Sequence, residues 1–210
     1  VKINLEEVKM KASEIKTKMI PITDTISIEM KYPTYDDMLR NPNYTNPDGS
    51  QDPDDGQGHG THVAGIALGT GDSSRVHIGA APGAFLVDIK VLTDSGGTNS
   101  QNSLNGIQWM INNKDTDWGN GAKGIHIGQM SFGSIGNPVN PDDSGDNGTG
   151  AEARLVNNAT YDHGIACIIA AGNDGRQRIS SPGSADGAIT IGSADNSDTI
   201  NRTDDFMASY

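Results

Sequence analysis

The chain begins with apolar residues at helical spacing. Leu5, Val8, Ala12, Ile15 and Met19 recur at intervals of 3, 4, 3 and 4 among Glu and Lys, with Asn4 and Glu7 placed as a cap. That pattern predicts an amphipathic packing helix of about four turns. Further on, the pattern changes. "AFLVDIKVL" (84–92) reads as a strand, and "SLNGIQWMIN" (103–112) places Leu104, Ile107 and Ile111 on one helical face with Met110 beside them. "KGIHIGQMSFG" (123–133) is a second strand candidate. "TGAEARLVNNATYDHG" (149–164) opens with Thr149 and Glu152 in capping-box spacing and closes at Gly164. The continuous apolar run "IACIIAA" (165–171) predicts a strand covered on both faces, and "AITIGSA" (188–194) predicts another. Strand alternating with helix in this way predicts a parallel sheet with helices on its faces.

Between these elements lie "YTNPDGSQDPDDGQG" (44–58), "TDSGGTNS" (93–100) and "GNPVNPDDSGDNG" (136–148), too rich in turn residues for regular structure. Their carboxylates offer hard oxygen ligands, so structural calcium is considered beside the plainer reading of solvated loops; neither acidic loop has the twelve-residue calcium-hand spacing. With 210 residues, the chain is read as one domain able to bury a substantial core. The formal charge of −12 argues against nucleic acid or an anionic membrane as partner, and no apolar run is long enough to span a bilayer. A charged stretch follows Val1 where a signal peptide would be apolar, so a secreted protein would be represented here by a mature or trimmed piece. The lone cysteine, Cys167, lies in an apolar run and is expected to be a buried, inert thiol.

Chemistry concentrates in "GQGHGTHVAGIALG" (56–69). His59 and His62 are three apart, with Gly60 and Thr61 between them, whereas zinc hydrolases of the H-E-x-x-H type need a spacing of four and a glutamate. A loop entering a helix that stops at Gly69 fits better. His59 then lies at the helix N-terminus, where the positive dipole end disfavours imidazolium and suits a base. Gly60, Ala64, Gly65 and Ala67 would let that helix approach neighbouring backbone closely. At the end of the 165–171 strand, Gly172 supplies a turn and Asn173 can aim its amide N–H at an oxygen, as an oxyanion hole requires.

"GHGTHVAG" resembles the histidine motif of the subtilisin-like serine proteases, the subtilases, and "IIAAGNDG" (168–175) resembles their oxyanion strand. The resemblance implies a three-layer, doubly wound, mostly parallel α/β fold with helices on both faces, incomplete at its C-terminal end. It implies that His59 is the general base, that His62 is structural and that Asn173 stabilises the oxyanion. "GQMSFG" (128–133) is similar to the strand those proteases lay beside a substrate backbone, so Ser131, Phe132 and Gly133 would line the pocket, with Gln129 where the family has Asn. "VLTDSGG" (91–97) is similar to the other flanking segment, around Gly96 and Gly97, and Ala171 and Gly172 would complete the substrate-binding set. "GAAPGA" (79–84) matches a family turn. The likeness assigns 51–210 to the family, within a partial catalytic domain over 1–210, and leaves 1–50 as an N-terminal helix and a region or insertion of unassigned role.

Two triad members are less plain. Asp24, in "MIPITDTI", follows alternating Ile20 and Ile22 and lies 35 positions before His59, but Ile26 replaces an expected glycine and Pro21 sits awkwardly in a central strand. An aspartate ahead of Val1 is the equal alternative; Asp36 and Asp37 read as surface charges. No G-T-S-M-A stretch occurs before Tyr210, and Ser209 is not in such a context. The expectation is therefore a serine endopeptidase acting on extended polypeptides. The chain supplies His and Asn, is inactive alone, and is completed by a C-terminal fragment bearing the serine. It needs no cofactor for its chemistry, and its setting would be extracellular or cell-surface. The alternative from another class is a non-catalytic module that binds extended peptide or calcium.

Overall fold

The computed structural model describes residues 17–23, 26–31, 55–71, 77–97, 99–119, 121–134, 138–140, 143–173 and 178–208. They fall into two compact units, Val1–Thr98 and Asn99–Tyr210.

In the first unit, strand β1 (Thr17–Thr23) pairs antiparallel with β2 (Ile26–Lys31), from Thr17↔Lys31 to Pro21↔Ser27, with a register shift after Pro21. This corrects the last turn of the predicted N-terminal helix, since Met19 is a strand residue opposite Glu29. Pro21 would break a helix interior, and the β-branched residues around it favour a pleated strand. The earlier part of that predicted helix lies outside the described residues.

Helix α1 (His59–Leu68) follows an N-cap, Gly58, whose φ of 96° is a left-handed conformation open to glycine. It stops at Gly69, as predicted, with the Gly69 N–H on the Gly65 carbonyl at 2.9 Å. The last carbonyls find partners in the "GAAPGA" turn: Ile66 accepts from Ala80 N–H, Ala67 from Ala81 N–H and Gly69 from Gly79 N–H. A Cβ at Gly79 would lie 2.7 Å from the Leu68 nitrogen, so only glycine permits this approach. Residues 84–92, predicted to be a strand, form no ladder among the described residues. An apolar run becomes a strand only where another backbone offers its hydrogen bonds; here Lys90 and Val91 are buried while Phe85 is exposed.

The second unit contains α2 (Ser100–Asn112), β3 (Ile127–Met130), a hairpin of β4 (Pro138–Asn140) and β5 (Asp143–Asp146), α3 (Ala151–Tyr161), β6 (Ala166–Ala170), β7 (Ala188–Ile191) and a short pair, β8 (Ala194–Asp195) with β9 (Phe206–Met207). The predicted parallel sheet is present in the order β3-β6-β7. One face carries Gly128, Met130, Cys167 and Ile169, all buried. Gly128 lies so close to Met110 of α2 that a Cβ would stand 3.0 Å from its Cε. The opposite face carries Ile127, Gln129, Ile189 and Ile191, all exposed. The β6 strand therefore alternates in burial, where its unbroken apolar sequence predicted cover on both sides.

Helix α2 buries Ile107, Met110 and Ile111 with Trp109, and Asn99 caps it by accepting from Asn102 N–H. Helix α3 lacks the predicted capping box. Its N-cap is Gly150, and the Thr149 hydroxyl is spent on Asn147 Oδ1. Gly164 closes this end of the chain path with φ 67° and its N–H on Thr160 O. The β4–β5 hairpin lies in the 136–148 loop that was predicted irregular. Cys167 is fully buried, and burial pushes its thiol pKa up, partly offset by a hydrogen bond with Thr160.

Candidate active site

The His59 motif is built around a residue that sequence reasoning passed over. Asp55 Oδ1 accepts the N–H groups of Gly58 at 2.7 Å and Gln57 at 3.1 Å. Its Oδ2 accepts the Thr61 N–H at 2.8 Å and the Thr61 hydroxyl at 2.7 Å. The three N–H groups belong to the turn that delivers His59 to the first position of α1, and they would otherwise lack helical partners. Burial pushes the Asp55 pKa up, but the bonds from the Thr61 hydroxyl and from the Gly58, Thr61 and Gln57 N–H groups outweigh it and hold the carboxyl at about 2. A negative charge thus sits on the positive end of α1. Gln57 Oε1 adds a bond to the His59 N–H at 2.8 Å. His59 itself is exposed, and Thr61 is buried.

A second missed residue is Asp88. Burial and then the negative charge of Asp55 raise its pKa to about 6, against the opposing pull of Lys90 and the Ile89 N–H. Lys90 also pairs with Asp94. Asp94 in turn lies against Gly56, where a Cβ would collide with its side chain. Asp94 opens the turn that holds Gly96 and Gly97: Thr93 N–H reaches Gly97 O at 2.7 Å, Gly96 N–H reaches Thr93 O at 2.9 Å, and Gly96 has φ 82°. Gly96 also faces the Gln57 side chain, a Cβ there being 3.7 Å from Cγ. The first unit therefore brings the His59 turn, the acidic pair and the 93–97 turn together. The signal for Asp55 was an acidic residue just ahead of a glycine-rich helix start.

The second unit assembles the other group. Parallel pairing of β3 with β6 puts their carboxyl ends side by side, Met130 opposite Ile169, so Ser131–Gly133 and Ala171–Asn173 leave the same edge of the sheet. Gly172 has φ 104°, the predicted turn, and Asn173 is exposed after it. Ala171 N–H is held by Ile191 O at 2.9 Å, and Ala171 O accepts from Ser180 N–H at 3.1 Å. Gly133 packs on buried Ser180, and Ser134 exchanges backbone bonds with Ser181 in both directions. Gln129, the departure from the family's Asn, is exposed and donates Nε2 to Ser131 Oγ at 2.9 Å, because it lies on the open face of the sheet. Asp24 lies outside the described residues; the strand leading to it pairs antiparallel with β2. Among the described residues no group of three or more His, Cys, Asp or Glu could hold a metal ion.

Comparison with known proteins gives these groups a context. The chain is 36% identical over 163 residues to serine protease AprX of Bacillus subtilis (strain 168), covering 76% of this chain and 35% of AprX. It is 34% identical over 141 residues to subtilisin Savinase of Lederbergia lenta, covering 67% of this chain and 44% of that protein. Among solved structures it resembles sphericase, with TM-score 0.56, 27% identity, 94% of this chain and 52% of that one. The chain thus spans from about a third to under half of the length of these curated relatives. The subtilase family profile matches residues 13–206, across both units and both motif groups. On that match, and on relatives above 30% identity, this chain belongs to the subtilase family.

Proposed function

We propose that this chain is part of a serine endopeptidase. His59 is the general base and then the acid toward the leaving amine, and Asn173 is the oxyanion donor. The supporting observation is the emergence of Ser131–Gly133 and Ala171–Asn173 from adjacent carboxyl ends of one parallel sheet. An extended peptide could add there as a further strand, with backbone bonds supplying affinity for many sequences. Gly96 and Gly97, on the turn of the first unit, are the further substrate-binding residues of this reading. The reaction needs a serine hydroxyl, which we place beyond residue 210, and a carboxylate to orient His59. Asp24 is our assignment for the latter; the family match from residue 13 supports it by including that position. The serine oxygen attacks the peptide carbonyl as His59 takes its proton; His59 then protonates the departing nitrogen, and water releases the acyl group by the same steps in reverse.

The chemistry requires no cofactor. Calcium, if taken up by the acidic 44–58 loop, would act on stability, and a chelator would lower the melting temperature. The setting we favour is extracellular or cell-surface. A fluorophosphonate probe tests the reading. It should block peptide hydrolysis by the complete protein and label a serine outside residues 1–210, leaving this chain alone unlabelled. Labelling within 1–210 would refute the placement of the nucleophile, and hydrolysis insensitive to the probe would refute the serine mechanism.

A further inference from the structure

We infer that Asp55 is a positioning residue for His59, acting through the turn between them, an inference that rests on His59 being the base. Three features carry it. The carboxylate binds residues on both sides of His59: Gln57 and Gly58 before it through Oδ1, and Thr61 after it through Oδ2. The turn it closes contains Gly58 at φ 96°, and glycine, lacking a Cβ, can take other backbone shapes once the carboxylate is removed. The turn is also buttressed from outside, since the Asp94 side chain lies against Gly56, between Asp55 and the gripped residues.

An ordinary N-cap side chain occupies the cap position and satisfies one helical N–H. Asp55 instead reaches to Thr61, six positions on, and grips the segment on which the imidazole is mounted. Helix α1 itself gets no side-chain bond from its own cap residue, Gly58. With this grip lost, α1 could persist through its C-terminal bonds to residues 79–81, while the direction of its first residue would not be held. The consequence falls on catalytic turnover, because a base displaced by about 1 Å from the reacting hydroxyl can cost of the order of 10²-fold in rate. Substrate affinity, which this reading draws mainly from the β3–β6 sheet edge, should change far less than turnover.

The test uses Asp55→Ala, Asp55→Asn and Thr61→Val. In the complete protein, Asp55→Ala should lower kcat for peptide hydrolysis ten- to a hundredfold with KM within twofold. Asp55→Asn, whose single amide oxygen can still accept, should recover part of that loss. Thr61→Val removes only the hydroxyl donor and should cost about threefold in kcat; it serves if the Asp55 variants fail to fold. In parallel, NMR of the 210-residue chain should show Gly58 and Thr61 amides that exchange slowly, and one set of His59 ring signals. Asp55→Ala should speed the exchange and broaden or double those ring signals. Unchanged kcat in a folded Asp55→Ala variant, or an unchanged His59 ring spectrum, would overturn the inference. Should the complete protein hydrolyse no peptide, the catalytic reading fails by itself, and the ring spectrum still decides whether Asp55 positions His59.

Discussion

The two units hold their groups in place by different means. In the first, the His59 turn is closed by one carboxylate and a set of short-range hydrogen bonds, and that carboxylate's charge raises the pKa of an acidic neighbour, Asp88. In the second, Asn173 and the Ser131 segment are carried on the ends of parallel strands with one buried face, where Ile169 and Cys167 are fully buried with Val156 of α3. A polar turn can be undone by altering one charge. A strand end moves only if the apolar layer under it is disturbed. The contrast implies that the first unit is sensitive to charge and pH and the second to packing volume.

The largest expected effects test whether both units serve one reaction. His59→Ala in the complete protein should lower kcat by about 10⁶, the size known for subtilisin itself. Asn173→Ala should cost roughly 10²–10³, again the known subtilisin magnitude, with little change in KM. Steady-state peptide hydrolysis checks both, and a full-rate Asn173→Ala enzyme would remove the second unit from the chemistry. Next is the packing side of the contrast. Ile169→Ala should destabilise the protein by about 2–5 kcal/mol, read from the denaturant midpoint, because its site is fully enclosed between the sheet and the helices.

On the polar side, Gly58→Ala should cost about 1–2 kcal/mol although open space surrounds the new methyl, because φ 96° is the obstacle. The smallest effect is one of sign. The carboxyl of Asp88 has a pKa of about 6 in the folded protein against an ordinary 3.8, so its contribution to stability is fully present below pH 3.8 and is lost as pH rises through 6. Asp88→Asn should therefore raise the melting temperature at pH 7 and leave it unchanged near pH 3.5, a difference that thermal unfolding at the two pH values reads directly. Equal gains at both pH values would show that Asp88 matters through shape and not through charge.

The same contrast explains what could be read from the residues alone. Elements of the second unit were legible because their apolar positions repeat with helical or strand periods: α2, β3, α3, β6 and β7 all fall where the pattern put them. Periodicity failed where the deciding factor was a partner far along the chain or a competing side chain. The 84–92 run is apolar yet unladdered, Thr149 bonds Asn147 instead of capping α3, and "NPVNPDDSGD" folds into a hairpin despite its turn residues. At the N-terminus, helical spacing through Met19 was overridden by Pro21 and by a pairing partner, Glu29, ten residues on.

The amino-acid order by itself determined the family, the positions of His59 and Asn173, and the alternation that makes a parallel sheet, because each is written in adjacent residues or in a short period. Tertiary structure decided that Gln129 faces outward, that the sheet has one face covered by helices in its own unit, and that Asp55 grips the turn around His59. Those outcomes depend on which backbone N–H groups lack a helical partner and which face of a strand another element happens to cover, and neither is a property of any residue considered alone.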